Sequence, residues 1–392
     1  MSNQDNLFQS AFGDFILERY PRMKNAPLRA WSAADELALC HLKKELLDNA
    51  QLAQQNKPLR ILTINDQHGA LAIPIASLTA DSSISCWSDS SLNQQALTYN
   101  TNLIPSQNNP VLPTFIPSTS ALDGHYDIVL IQIPKTLSLL EYQLRGLRQH
   151  LHTNSLIIGC GMVKHLQHSY TALFENLIGP THTSLAKKKA RLIHPTFDPN
   201  LSIPSASEPT QYNLEKWPIT LTNLSNVFAQ NNLDIGTRFF LPHLGAEQKH
   251  IQRIFDLGCG NGALGIAASQ LNPDASIGFY DDSYLAVYCA ELNVNAAGIN
   301  NPVHFNAMDC LTDEKQKADL ILCNPPFHQD NTVGTQIALR MFQQAQRHLN
   351  DNGELRVVGN RHLNYHIPLK RLFKEVTLLD SNKKFDIYMA KG

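Results

Sequence analysis

Short runs of Ile, Leu and Val alternate along this chain with longer stretches whose apolar residues recur at helical spacing. In the second half, "RIFDL", "ASIGFY", "VHFNAM", "ADLILCN" and "GELRVVG" read as successive strands. "ALGIAASQL", "YLAVYCAELNVNAAG" and "TQIALRMFQQAQRHL" read as the helices between them, and "FDIYMAK" as an edge strand near the C-terminus. This is the pattern of a mostly parallel sheet covered by helices, an α/β fold.

The first half repeats the second. Aligning Arg60 with Arg253, an offset of 193 residues, places Gly69-Ala70-Leu71 on Gly262-Ala263-Leu264 and "SISCWSDS" (Ser83 to Ser90) on "SIGFYDDS" (Ser276 to Ser283). One residue less of offset brings "YDIVLIQIPK" (Tyr126 to Lys135) onto "ADLILCNPPF" (Ala318 to Phe327). Three strand-like segments in one order imply duplication of a whole domain. The Pro- and Ser-rich stretch from His194 to Pro218 reads as linker or surface loop. That places a boundary near residue 200, giving domains 1–200 and 201–392. A second Pro/Asn-rich stretch, Pro105 to Ser118, reads as an exposed loop.

At 392 residues the chain suits two domains, and 43% hydrophobic with 17% charged residues is ordinary for a globular protein. A net charge of −2 gives no global nucleic-acid signal, although a local basic patch remains compatible with it. Seven scattered cysteines with no C-x-x-C pair favour reduced thiols in a cytosol over disulfides or a zinc site. The N-terminal stretch has no basic region followed by an apolar core, so no signal peptide is expected, and no apolar run is long enough to cross a bilayer.

The chemistry concentrates in the second copy. In "DLGCGNG" a strand ends at Leu257, and Gly258, Gly260 and Gly262 let the backbone turn sharply and a ligand lie against it. Such a turn alone serves structure as often as binding. Its context adds a second strand ending in an acid, "GFYDD", as a ribose-binding carboxylate requires. Asp281 is the candidate, with Asp282 capping the next helix. "CNPPFHQ" then follows an apolar strand. Its two prolines fix the Asn324 side chain and the neighbouring carbonyls, which together can accept both hydrogens of a planar amine. Phe327 offers a face for a base to stack on.

These residues resemble the class I S-adenosylmethionine-dependent methyltransferases that act on planar nitrogen. The degenerate-plus-active tandem is similar to the bacterial ribosomal RNA guanine-N2 methyltransferases of the RsmC/RlmG group. "LDIGTRFFLP", "CNPPFHQ", "GNRHLNYH", "NKKFDIYMAKG" and "SLAKKKARLI" lie closest to its large-subunit (23S) members. The resemblance implies two Rossmann-like domains and S-adenosylmethionine as cofactor. It implies that Asp256, Gly258, Gly260 and Gly262 form the cofactor loop, that Asp281 binds the ribose and that Asp309 receives the adenine amine. Gly236, Thr237 and Arg238 would close over the cofactor. Asn324, Pro325, Pro326 and Phe327 would hold the guanine, with Asn324 also bordering the cofactor and His328 able to relay a proton.

In the first copy the glycine positions hold Asn65, Gln67 and Gly69, the acid position holds Ser88, and the Asn-Pro-Pro-Phe positions hold Gln132, Ile133, Pro134 and Lys135. That domain is expected to keep the fold without the chemistry and to dock RNA. Lys187, Lys188, Lys189 and Arg191, with Lys164, would meet phosphates; Arg361, Lys370, Arg371 and Lys374 form a second basic segment. A solvated surface explains the same run equally well from charge alone. The expected protein is a cytoplasmic monomer acting on large-subunit ribosomal RNA. Alternatives are a small-subunit (16S) guanine-N2 methyltransferase, a glutamine or adenine methyltransferase, and a non-catalytic RNA-binding assembly factor. A nicotinamide dehydrogenase fits poorly, because Gly265 falls one position too late for its glycine spacing.

Overall fold

A computed structural model describes residues 6–22, 28–48, 58–76, 82–104, 112–206, 209–214, 217–227, 232–244, 251–326 and 332–392, with side chains at 332–335 left aside. The chain forms two compact units, Met1–Ser207 and Glu208–Gly392.

In the first unit a hairpin, β1 (Leu7–Ser10) and β2 (Gly13–Ile16), precedes a helix, Ala33–Asp48. The sheet then uses β3 (Arg60–Ile64), β4 (Ser83–Ser88), β5 (Thr114–Pro117), β6 (Ile128–Gln132), β7 (Leu156–Met162), β8 (Thr181–Thr183) and β9 (Ala190–Pro195) in the order β5-β4-β3-β6-β7-β9-β8. The second unit opens with a hairpin, β10 (Thr210–Leu214) and β11 (Ile219–Asn223), and a short helix, Ile235–Phe240. Its sheet uses β12 (Arg253–Leu257), β13 (Ser276–Asp281), β14 (Val303–Ala307), β15 (Ala318–Cys323), β16 (Leu349–Asn360), β17 (Glu375–Ser381) and β18 (Phe385–Lys391) in the order β14-β13-β12-β15-β16-β18-β17. The two sheets match strand for strand. Five strands of each are parallel, and the last two run antiparallel as a closing hairpin.

Helices pack both faces of each parallel sheet, so its central strands are apolar throughout. In β6 and β12 four of five residues are buried. The chain reverses its winding direction between β12 and β15, and between β3 and β6 in the first unit. Ligands of open α/β sheets sit at the carboxyl ends of strands beside such a reversal.

Three expectations need correction. "FDIYMAK" is not an edge strand: β18 lies between β16 and β17, and β17 is the edge on that side. The true edge strand is mostly solvent-facing, which weakened its apolar pattern. Of the Pro/Asn-rich stretch, residues 105–111 lie outside the described residues; the rest contains β5, an edge strand of the first sheet, and Ser118 at its end is buried. The stretch from His194 to Pro218 contains the end of β9 and all of β10, whose outward residues are polar.

Candidate functional site

At the winding reversal of the second unit, the turn after β12 carries positive φ at Gly258 (+78°), Gly260 (+55°) and Gly262 (+83°). A side chain is strained in this left-handed region. The space differs at each position. A Cβ on Gly262 would press Ala290 at 3.1 Å, whereas one on Gly260 would meet nothing within 4 Å. The open space over Gly260 belongs to a cavity of about 360 Å³, within the usual range for small-molecule sites, roughly 300–1,000 Å³.

The turn is locked to the next strand. Gly258 and Cys259 donate their N–H groups to the Tyr280 carbonyl at 2.8 and 2.9 Å, and Gly260 N–H donates to Asp281 Oδ2 at 3.0 Å. The second oxygen of Asp281 accepts from Ser283 N–H at 3.0 Å. Ser283 is the N-cap of the following helix and accepts from Ala286 N–H at 3.0 Å. Asp282 lines the cavity beside Asp281.

Asp256 sits beneath the turn, almost fully buried, and accepts from Gly265 N–H at 2.8 Å. Its other oxygen has no hydrogen-bond partner. Burial pushes its carboxyl up to about 7, with the negative Asp281 adding to the shift. Asp256 is thus a support for the turn rather than part of the cavity wall. Asp309, after β14, lines the cavity and is ion-paired with Arg340 from the helix Thr332–His348. Cys259 and Cys310 also line it, but burial holds Cys259 well above the ordinary thiol range and pushes Cys310 up to about 12. Both stay protonated at neutral pH and are poor nucleophiles.

Beyond β15, the strand paired with β12, Asn324, Pro325 and Pro326 also line the cavity. Asn324 Nδ2 donates to Thr237 Oγ1 at 2.9 Å and to Asp234 Oδ2 at 3.2 Å. Its Oδ1 is buried without a partner. Asp234 is the N-cap of the helix Ile235–Phe240 and accepts from Thr237 N–H at 2.8 Å. Of the upstream trio, Thr237 lines the cavity, Gly236 is buried behind it and Arg238 is exposed. Phe327 and His328 lie outside the described residues. Lys187, Lys188 and Lys189 are exposed at the β8–β9 turn of the first unit, with Arg191 partly exposed beside them. Arg361, Lys370, Arg371 and Lys374 are exposed on the second unit.

Asp234 and Tyr212 are among the cavity residues that escaped the sequence reading. Asp234 shows the Asp-x-x-Thr spacing of a capped helix start, a signal that was available. Tyr212, from the polar strand β10, reaches the cavity and accepts from Asn261 Nδ2 at 2.7 Å. Nothing local in "TQYNL" marks it.

At the corresponding turn of the first unit, side chains stand where the second unit has bare backbone. Asn65 keeps a left-handed φ of 60°. Its Nδ2 donates to Gln143 Oε1 at 2.8 Å, and Gln143 Nε2 donates back to Asn65 Oδ1 at 2.7 Å. Ser88, where the second copy has Asp281, is buried and accepts from Asn93 Nδ2 at 2.9 Å.

Family models match the two halves of the chain separately. Residues 5–199 match the family model described as the RLMG N-terminal domain, and residues 218–389 that of the methyltransferase small domain. The chain is 44% identical over 385 residues to the ribosomal RNA large subunit methyltransferase G of Pseudomonas paraeruginosa (strain DSM 24068 / PA7), covering 98% of this chain and 99% of the relative. The protein of the same name from Pseudomonas putida (strain W619) is 43% identical over 390 residues, with the same coverage. Among solved structures, a T. thermophilus 16S rRNA N2 methyltransferase (RsmC), in complex with AdoMet and guanosine, superimposes with a TM-score of 0.74. It covers 100% of both chains at 17% identity, a likeness of fold across both tandem domains. With near full-length relatives at this identity and both halves matched in order, the chain belongs to the ribosomal RNA large subunit methyltransferase G family.

Proposed function

We propose that this chain transfers a methyl group from S-adenosylmethionine to the exocyclic N2 of a guanine in 23S ribosomal RNA. The observation that carries the reading is the buried, unpartnered Oδ1 of Asn324, a residue that lines the cavity beside the glycine turn. A buried acceptor left unpaired costs about 1–3 kcal/mol, so it marks a place where a donor belongs. The amino group of guanine is such a donor.

The cofactor fits the second unit. The bare backbone at Gly260 leaves room for a ligand, and Asp281 supplies a carboxylate for ribose hydroxyls at the end of β13. Bound there, the cofactor would supply an electrophilic methyl group on a sulfonium. Gly258, Gly260 and Gly262 would pass under its methionine part, Asp256 would hold that turn in shape, and Asp309 would face its adenine. Gly236, Thr237 and Arg238 would close the upstream side. Guanine N2 is a weak nucleophile because its lone pair is delocalised into the ring. Asn324 Oδ1 and the Pro325 carbonyl would accept its hydrogens and aim the lone pair, with Pro326 stiffening the turn and Phe327 stacking on the base. Alignment of this kind is worth up to roughly 7–11 kcal/mol, so no strong base is required.

The first unit lacks the acid and the open glycine space, which supports a docking role for domain 1–200 and catalysis by domain 201–392. Lys187, Lys189 and Arg191, with Arg361, Lys370 and Arg371 on the second unit, would meet RNA phosphates. No helix among the described residues is long and apolar enough to cross a membrane. A ribosomal RNA substrate would place the chain in the cytoplasm, where it would act as a monomer. The test is to map N2-methylguanosine in ribosomal RNA from cells lacking this chain. One position in 23S RNA should lose its methyl group, recover it with the wild-type chain and not with Asn324→Ala. Loss from 16S RNA instead would move the substrate to the small subunit, and loss from neither would favour an assembly role.

A further inference from the structure

We propose that Asp234 is a positioning residue that sets which end of the Asn324 side-chain amide faces the cavity. An amide carries two donors on nitrogen and an acceptor on oxygen, and rotation by half a turn exchanges them. A carboxylate only accepts. The Asn324 Nδ2 therefore turns to Asp234 Oδ2 (3.2 Å) and Thr237 Oγ1 (2.9 Å), while the Thr237 hydroxyl donates to the same carboxylate oxygen at 3.3 Å. Nδ2 is engaged by both groups, and Oδ1 is left without a partner. With the amide reversed, two acceptors would meet and a donor would confront the guanine amine.

The first unit carries the same tie in an altered form. There Asp35, in the first turn of the helix Ala33–Asp48, accepts from Ser32 N–H (2.7 Å) and Ser32 Oγ (2.9 Å). Gln132, aligned with Asn324, donates Nε2 to Asp35 Oδ1 at 2.7 Å. A carboxylate–hydroxyl pair at the start of the upstream helix thus holds the amide after the fourth strand in both copies. They differ at the acceptor end. Gln132 Oε1 accepts from Gln67 N–H at 3.3 Å, whereas Asn324 Oδ1 has nothing. Gln67 aligns with Gly260, so the copy that lost the cofactor turn has satisfied its own acceptor. The copy that kept the turn holds its acceptor in reserve. A tie serving only to join helix and sheet would not leave that difference.

This inference rests on the proposed guanine chemistry, and its test separates the two. Asp234→Asn keeps a good helix cap, since Asn and Asp cap equally well, but lets the amide reverse. With deproteinised 23S RNA from cells lacking the chain, kcat should fall roughly tenfold or more. The S-adenosylmethionine Kd and the melting temperature should stay near wild type. Adding Asn324→Asp to that variant exchanges the two groups across the tie and should restore several-fold of the loss. The amide introduced at position 234 can then donate to one oxygen of the carboxylate introduced at position 324 and leave the other facing the base. Selective ¹⁵N labelling of asparagine reads the tie without turnover. The Asn324 side-chain amide, assigned by its absence in Asn324→Ala, should shift in Asp234→Asn. An unchanged kcat, a loss matched by cofactor affinity, no recovery in the double variant, or no shift would each overturn the proposal. A clear shift with an inactive wild-type chain would instead overturn the guanine reading and leave the tie standing.

Discussion

Gly260 N–H donates to Asp281 Oδ2 at 3.0 Å, joining the middle of the glycine turn to the acid that ends β13. The carboxylate therefore shapes the turn and offers itself to a ligand together. Removing it in Asp281→Ala takes away a charged acceptor worth about 1.5–3 kcal/mol per hydrogen bond. S-adenosylmethionine affinity should fall roughly 10- to 100-fold by calorimetry. Affinity within threefold of wild type would remove Asp281 from the site.

The two copies also predict stoichiometry. The full chain should bind one S-adenosylmethionine, and Gly260→Ala should abolish most of that binding. The new Cβ stands in space that no protein atom occupies, so its direct cost is the left-handed backbone, about 1–2 kcal/mol. Ser88→Asp should not create a second site, because the first unit's turn holds Gln67, and Asn65 in a reciprocal pair with Gln143, where the second unit has bare glycines. A stoichiometry of two, in either protein, would contradict this account of the first unit.

Asp256 gives a pH signature. Its unfolded carboxyl titrates near 3.8 and its folded one near 7. The folded state thus binds the proton more tightly between those values, and stability is lost as pH rises through them. The full effect, about three pKa units, corresponds to at most about 4 kcal/mol. Asp256→Asn has no proton to lose and retains an oxygen for Gly265 N–H. It should melt at a temperature close to wild type near pH 4 and several degrees higher at pH 8. A constant difference across that range would mean that Asp256 is charged throughout.

Much of this was legible in the sequence, for physical reasons that also explain the failures. Buried parallel strands must be apolar on both faces, so β6, β12 and β15 announced themselves. Gly258, Gly260 and Gly262 stood out because the left-handed turn needs them. The duplication was readable because its strands kept their apolar runs after the polar chemistry had gone. What escaped lay at edges or across long separations. β17 and β10 show water too many side chains to carry a pattern. Asp234 and Asn324 are 90 residues apart and meet only because the upstream helix packs at the end of β15. Local spacing says nothing of such a pair.

The β8–β9 turn supplies the test of RNA docking. Lys187 N–H donates to the Ala190 carbonyl and Ala190 N–H to the Lys187 carbonyl, both at 2.9 Å. The hairpin therefore turns on Lys188 and Lys189 alone, with φ of 51° and 63°. Asn-Gly is the residue pair that suits such a turn, and left-handed lysines cost about 1–2 kcal/mol each. Lys188 is held by Glu36 at 2.9 Å, an exposed pair worth little, which leaves Lys187 and Lys189 as the charges of the turn with no ion pair among the described residues. If they meet phosphates, Lys187→Glu with Lys189→Glu should weaken binding to 23S RNA fragments. It should also flatten the slope of log affinity against log salt by roughly 0.7–0.9 per lost contact. Exchanging Lys188-Lys189 for Asn-Gly relaxes the turn while removing charge, so it should raise the melting temperature and still weaken RNA binding. Cofactor affinity should be the same in all three proteins, because the glycine turn and Asp281 belong to the other unit. Unchanged affinity and slope in the double glutamate variant would make the hairpin a solvated surface and leave the first unit without its RNA contact.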